Sequence, residues 1–403
     1  MDTVKRIYWP PVNLIGPGAI HELGFEIKKL GLKRVLIVTD PVLRATGIVK
    51  KVTNVLDDAN IRYVIYDNVK CNPTIKNVAD GLDLYSGLCC DGLLSIGGGS
   101  PQDTAKAIGI LYANGGELQQ YEGVAKSRFK SAPIVAVNTT AGPASEVTVN
   151  YIITDEARKI KMVMVDPNCM ATVAVNDPEL MVNKPADLTA STGFDALTHA
   201  IEAYTSKGSF RMFDLLSLEA IKLISESLQT AVANGTDIDA RTGMAWASYI
   251  AGLSFSNCGS GITHAMAHQL EAEYDLPHGV ANAILLPYVA AFNASACPER
   301  FREIAAAFGK DVKGLGNEEA AQQAINALHE LSEALHIPQL SDTAFDIADT
   351  DKLSQHALED ICTLGNPREI TFDEIKELYL KAYNGLLGEN TKMLEDVLSP
   401  ELV

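Results

Sequence analysis

The chain has 403 residues, more than one ordinary hydrophobic core serves, so two domains are expected. Hydrophobic residues at 47% and charged residues at 21% exclude intrinsic disorder, and 30 Gly and 17 Pro spread without a period exclude a collagen-like chain. A formal net charge of −18 argues against a nucleic-acid or anionic-membrane partner, because a polyanion is repelled rather than captured.

The opening MDTVKRIYWPP lacks the apolar stretch of a signal peptide. Short β-branched runs then predict strands over 35–39, 61–66, 92–96 and 134–137. Amphipathic stretches between them predict helices over 19–30, 47–59, 74–88 and 101–113. Such alternation calls for a parallel sheet covered on both faces. Residues 148–154 and 161–165 predict an antiparallel hairpin with its turn at 155–159. Past 185 strand signals nearly vanish, and helical spacing runs through 188–204, 213–232, 240–255, 262–273 and 318–335. The expected organisation is an α/β nucleotide-binding domain over 1–185, its parallel sheet covered by helices on both faces, and an all-helical domain over 186–403. The cleft between them is the default site.

Residues 280–298 form a 19-residue uncharged run, but Asn282, Pro287, Asn293 and Pro298 interrupt it, so it reads as a buried helix broken at Pro287 rather than a membrane span. Seven scattered cysteines without a CxxC predict neither a disulfide framework nor a cysteine zinc site. A reducing, cytoplasmic setting is expected.

Three features carry chemistry. In GLLSIGGGSPQDTAK, Gly97, Gly98 and Gly99 follow a buried strand, and Pro101 is expected to open the next helix. Glycines admit close approach of a diphosphate, and a helix N-terminus offers it unpaired N–H groups; a tight turn without a ligand gives the same pattern. The turn is not GxGxxG and follows a late strand, unlike the usual dinucleotide fingerprint. Asp40, ending the strand 35–39, can accept from ribose hydroxyls and repel a 2′-phosphate, although Thr39–Asp40–Pro41 is also ordinary turn chemistry.

The third feature is the most specific. Asp195 and His199 are spaced i, i+4 in TGFDALTHAIEAY and project from one helix face. THAMAHQLEAEYDLPHG adds His264, His268 and His278, so four of only eight histidines fall in two short segments. A carboxylate with imidazoles suits divalent iron or zinc. The remaining histidines, His21, His329, His336 and His356, read as surface residues, and Trp9 and Trp246 as packing. Glu202, on the Asp195 helix, fits a partner to a ligand or a solvated face equally well.

These segments, with TTAGPASEVT (139–148), CNPT (71–74), IVTD (37–40) and CTLGNPREIT (362–371), resemble the iron-containing, group III alcohol dehydrogenases over essentially the full length. The resemblance implies a dehydroquinate synthase-like arrangement of an α/β nucleotide domain and a helical domain, commonly as a homodimer or larger. By position it implies Asp195, His199, His264 and His278 as metal ligands and His268 as a non-ligand histidine near the nicotinamide. It assigns Asp40, Asn72, Gly97, Gly98, Ser100, Thr139, Thr140, Thr148 and Lys161 to NAD, and Asn150, Phe255 and Cys362 to the substrate.

Two departures stand out. Pro143 occupies a position where relatives carry Thr, removing a hydroxyl and an N–H beside the nicotinamide. Glu271 replaces a common glycine and Gln269 a common proline, and neither is expected to touch a ligand.

The implied reaction is NAD(H)-dependent reduction of a short-chain aldehyde, such as the hydroxyaldehyde lactaldehyde, to its primary alcohol, and the reverse. A divalent iron, or zinc, would polarise the carbonyl, hydride chemistry belongs to the cofactor, and His268 could relay a proton. The alternatives are reduction of sulfoacetaldehyde or 3-hydroxypropionaldehyde within the same family, and a non-catalytic NAD sensor. A sensor would be expected to have lost ligands, yet all four are present. A related dehydroquinate synthase, maleylacetate reductase or glycerol dehydrogenase fits these motifs less well.

Overall fold

Strands whose odd and even positions are both β-branched or aliphatic must be buried on both faces. In a computed structural model describing residues 4–386, the first part of the chain runs Val12–Ile15 (β1), Leu23–Lys29 (α1), Arg34–Val38 (β2), Pro41–Ala45 (α2), Ile48–Asp58 (α3), Arg62–Tyr66 (β3) and Ile75–Gly87 (α4). It continues through Gly92–Gly97 (β4), Gly99–Asn114 (α5), Gly123–Val124 (β5), Ile134–Asn138 (β6), Asn150–Asp155 (β7), Ile160–Val165 (β8) and Val173–Asn176 (β9).

Six strands form a parallel sheet in the order β1-β9-β6-β4-β2-β3. Val35 and Ile37 of β2 face Leu23 and Ile27 of α1 and Val52 and Leu56 of α3. Leu36 and Val38 face the opposite layer, with Val78 of α4 and Ile108 of α5. The hairpin β7–β8 is antiparallel, as expected, and buries Tyr151, Ile153, Met162 and Met164 in that second layer. The short strands β1 and β9 carried too few residues for the pattern to declare them.

Because β2 lies between β3 and β4, the chain crosses over it and the direction of winding reverses there. In open α/β sheets the ligand crevice lies at the strand C-termini beside such a reversal. Here those termini carry Asp40 and the triple glycine. The helix after β4 starts at Gly99, two residues before the expected Pro101. Proline at the third helical position loses no internal hydrogen bond, since the first four N–H groups have no partner within the helix.

From residue 186 onward the described residues are helical: Ala186–Thr205 (α6), Arg211–Ala233 (α7), Ile238–Cys258 (α8), Ile262–Tyr274 (α9), His278–Ala294 (α10), Pro298–Ala307 (α11), Asn317–Ala334 (α12), Thr350–Glu359 (α13) and Phe372–Asn384 (α14). Residues 387–403 of the expected helical domain lie outside the described residues. The expected break at Pro287 does not occur. The helix α10 runs through it, because the hydrogen bond lost at proline is outweighed by burial of Ile284, Leu285, Leu286, Val289 and Ala290. No described helix is long and apolar enough to cross a membrane.

The β6–β7 connection, which carries TTAGPASEVT, is pinned from beneath. Lys106 of α5 is 1% exposed, and its ammonium donates to Ser145 Oγ, the Thr148 carbonyl, Thr148 Oγ1 and the Asn150 carbonyl. Asp103, one turn earlier, accepts from Ser145 Oγ and the Ile152 N–H. A buried charge without partners is strongly unfavourable, so this set holds the loop in one shape. Lys106→Met should destabilise the protein by roughly 3 kcal/mol or more, because it strands buried carbonyls. An unchanged melting temperature in scanning calorimetry would show that the loop does not depend on this ammonium.

Candidate functional site

Asp195 and His199 lie one turn apart on α6, and His264 and His268 one turn apart on α9. The helix α9 ends at Asp275, whose left-handed φ of 54° turns the chain so that α10 begins with His278 and returns it to the same point. Asp195, His199, His264 and His278 each present one donor atom, all within 4.8 Å of one another. The first three are nearly fully buried, and His278 is about a quarter exposed. His278 Nε2 is 3.3 Å from Asp195 Oδ1.

This donor set suits a divalent transition ion. The fit also rests on polar atoms left without partners: His199 Nδ1 and His264 Nε2 are buried and unbonded. Each such atom costs about 1–3 kcal/mol in a protein interior. Burial alone would raise the Asp195 carboxyl, but the imidazoles of His199, His278 and His264 overcome it and hold it below the ordinary carboxylate range. Burial pushes the His199 imidazole down to about 4 against the pull of Asp195, leaving it neutral, the form that ligates metal.

A second ring of polar groups orients the first. Glu202 is buried, not solvated, and accepts from His264 Nδ1 at 2.6 Å and from the Gly261 and Thr263 N–H groups. Asn282 donates to Asp195 Oδ1 at 2.9 Å and lies 3.1 Å from His278 Nε2. Glu271 corrects an expectation: it does touch a proposed ligand, with Oε1 2.5 Å from His278 Nδ1 and Oε2 2.8 Å from Lys161 Nζ. Seven residues separate Glu271 from His264 on one helix, two turns along the same face, and that spacing was the available signal. Asn282, four residues after His278 on α10, and Asp360, which had no local signal, were missed.

His268 lies outside the four-donor set. Its Nδ1 is 2.9 Å from Asp360 Oδ2, which leaves Nε2 free. The thiol of Cys362 comes close to both residues. Burial, reinforced by Asp360, pushes that thiol well above its ordinary range, so it stays protonated and is no nucleophile. Phe255 stacks on His199 at 4.4 Å and on His264 at 5.5 Å and walls the cluster. A cavity of about 230 Å³ reaches His268 and Asp360 from the hairpin, past Arg158, Lys159, Lys161 and Lys352.

On the α/β side, Gly97 has a φ of +154°, and a Cβ on Gly98 would lie 2.9 Å from Thr140 Cγ2, so the turn tolerates no side chain. Thr139 N–H donates to the Gly97 carbonyl, and Thr140 is held through Asn138. Ser100 Oγ donates to the Cys71 carbonyl. Pro143 packs over Gly99. Asp40 caps α2 by accepting from the Leu43 N–H at 2.9 Å and remains partly exposed. The Thr148 hydroxyl is taken up by Lys106. Asn150 opens β7 and is partly buried. Lys161 donates to Asn72 Oδ1 at 2.6 Å, and Asn72 in turn donates to Asp275 Oδ1, so both residues bridge to α9. The four histidines read as surface are exposed. Trp9 and Trp246 are 37% and 40% exposed, and both pack edge-on against Tyr249.

Residues 10–178 match the family model described as iron-containing alcohol dehydrogenase, and residues 189–383 match its C-terminal counterpart. The chain belongs to the iron-containing alcohol dehydrogenase family. Among relatives, it is 44% identical to the NAD-dependent methanol dehydrogenase of Bacillus methanolicus, over 94% of this chain and all of that one. It is 46% identical to the lactaldehyde reductase of Escherichia coli, covering 91% and 97% of the two chains. The crystal structure of a 1,3-propanediol oxidoreductase superposes with a TM-score of 0.93 at 44% identity, covering 94% of this chain and all of that one. The α/β sheet followed by a helical region is the arrangement that the resemblance implied. As a member of this family the chain is an oxidoreductase of alcohols and aldehydes.

Proposed function

We propose that this alcohol dehydrogenase reduces a short-chain aldehyde, with a 2-hydroxyaldehyde such as lactaldehyde favoured, to its primary alcohol with NADH, and catalyses the reverse oxidation. The observation that carries the reading is the convergence of Asp195, His199, His264 and His278, with His268, whose ring stacks on His278 at 6.0 Å, lining a neighbouring cavity. In this reading the chain divides at 185/186 into a cofactor-binding half and a metal-binding half. Asp195, His199, His264 and His278 would hold a divalent metal, iron first and zinc second, which would supply Lewis acidity, and bound NAD(H) would supply the hydride chemistry.

The chain's own residues do the rest. Gly97, Gly98 and Ser100 at the start of α5 receive the diphosphate, where unpaired N–H groups favour an anion. Thr139, Thr140 and Thr148 line the cofactor, with Asn72 and Lys161 toward its nicotinamide ribose and Asp40 toward the adenosine ribose. His268, steadied at Nδ1 by Asp360, offers Nε2 to move a proton to or from the substrate oxygen. Asn150 and Cys362 present hydrogen-bonding groups to a neighbouring substrate hydroxyl, and Phe255 limits chain length.

A neutral substrate is favoured by the pairing of most of the cavity's cations. Arg158 meets Asp155 and Glu122, Lys161 meets Glu271, and Lys352 meets Glu273, while Lys159 has no ion pair among the described residues and is the cation left for an anionic group. The 3-hydroxypropionaldehyde reading keeps support from the likeness to a 1,3-propanediol oxidoreductase.

The metal assignment predicts that His264→Ala and His278→Ala lose metal and turnover while binding NADH nearly as the parent does. Metal analysis beside NADH fluorescence titration checks this, and full turnover in the double variant would refute it. Asp40 predicts a preference for NAD(H) over NADP(H) by roughly 1–4 kcal/mol, at least about fivefold in kcat/KM, because a carboxylate opposes a nearby phosphate. Asp40→Gly should narrow that ratio, and equal use of both cofactors by the parent would count against the placement. The substrate reading is tested by kcat/KM for lactaldehyde, propionaldehyde, butyraldehyde and sulfoacetaldehyde, with protein of known metal content. Lactaldehyde should lead, since a site that pairs with a substrate hydroxyl discriminates against analogues lacking it. A lead for butyraldehyde would contradict the small pocket, and a lead for sulfoacetaldehyde would replace the neutral substrate with an anionic one.

A further inference from the structure

Glu271 occupies a position that an active-site reading of the motifs passes over, yet it is 5% exposed and both its oxygens are engaged. One oxygen lies 2.5 Å from His278 Nδ1 and the other 2.8 Å from Lys161 Nζ, which is itself 2.6 Å from Asn72 Oδ1. Lys161 stands on β8 and Glu271 on α9, so the carboxylate is the middle of a buried chain from the α/β part to the histidine cluster. The imidazole of His278 has its other nitrogen, Nε2, 3.3 Å from Asp195 Oδ1. Glu271 therefore meets the opposite nitrogen of the ring from Asp195 and lies outside the four-donor set, although it also forms a separate three-donor group with His268 and His278.

His278 needs such a support more than its neighbours do. His199 and His264 are almost wholly buried and stacked on each other and on Phe255, which fixes their rings by packing. His278 sits at the first position of a helix, directly after a left-handed turn and Pro277, and its side chain is 27% exposed. Its ring meets His268 at 6.0 Å and His264 at 5.5 Å, Asn282 lies 3.1 Å from Nε2, and Glu271 is its partner at Nδ1. A carboxylate accepting from Nδ1–H sets both the ring orientation and the tautomer that presents a lone pair at Nε2.

We infer that Glu271 is a positioning residue that holds His278 Nε2 toward the metal-binding donors by accepting its Nδ1–H, with Lys161 fixing the carboxylate from the other side. This rests on the metal reading above, and its failure can be told from failure of that reading. The hydrogen bond needs an acceptor oxygen at that point but not a negative charge. In Glu271→Gln alone the amide NH2 would oppose the Lys161 ammonium, so the rescue variant is Glu271→Gln with Lys161→Met, whose amide oxygen can stay on His278 Nδ1, whereas Glu271→Ala has no acceptor. Glu271→Ala opens space behind the ring and removes the acceptor.

The test measures Zn2+ affinity by competition with a chromogenic chelator, without turnover, on the full-length parent, Glu271→Ala, Glu271→Gln/Lys161→Met and His264→Ala. Loss of a carboxylate that orients a ligating histidine typically weakens metal binding by about 10–100-fold, and that is the shift expected for Glu271→Ala. The Glu271→Gln/Lys161→Met variant should bind the metal clearly more tightly than Glu271→Ala, a rescue that general damage to the fold would not produce. Parent-like affinity in Glu271→Ala, or equal weakening in both Glu271 variants, would overturn the inference while leaving the metal reading intact. A parent that binds Zn2+ no better than His264→Ala would overturn both.

Discussion

One carboxylate and three imidazoles brought to a single buried point form an arrangement that a protein interior opposes unless something gathers their lone pairs. The charge of Asp195 is stabilised by the surrounding histidines and by the Asn282 amide, but His199 Nδ1 and His264 Nε2 have no partner within the chain. Much of the local architecture serves to keep these groups where they are. Glu202 satisfies two backbone N–H groups at the start of α9 as well as His264, so one carboxylate starts the helix and aims its first histidine. Asp275 and Pro277 then reverse the chain so that His278 faces back into the cluster.

The same constraint reaches across the cleft. The winding of the sheet reverses at β2, which sets Asp40 and the triple glycine side by side at the strand ends. Lys106 and Asp103 shape the following loop from below. Lys161 and Asn72, on the α/β side, grip Glu271 and Asp275 on α9. The Lys161–Glu271 pair is buried and ties the two parts firmly, while the Asn72–Asp275 contact is exposed and adds less.

Much of this was legible in the sequence because two patterns are hard to counterfeit. Short continuous β-branched and aliphatic runs, buried on both faces, marked β2, β4 and β6, and the i, i+4 pairs Asp195–His199 and His264–His268 placed donors on single helix faces. The four-residue strands β1 and β9 were too short to show a period, and Pro287 misled because burial of its helix outweighs the lost hydrogen bond. Supporting residues were harder to see than the donors they support. A glutamate on a helix looks the same whether it faces water or a histidine, so Glu202 stayed ambiguous and Glu271 was set aside. Asn282 stands i, i+4 from His278 on α10, a spacing that was there to be read, whereas Asp360 meets His268 only through tertiary packing, which no local spacing announces.

The central claim is that Asp195, His199, His264 and His278 together form the first coordination shell of one metal ion. X-ray absorption at the edge of the bound metal measures that shell directly. The account predicts nitrogen and oxygen scatterers only, at about 2.0–2.2 Å for zinc, with the outer-shell signature of three imidazoles. A sulfur scatterer, or a shell with one imidazole or none, would contradict it.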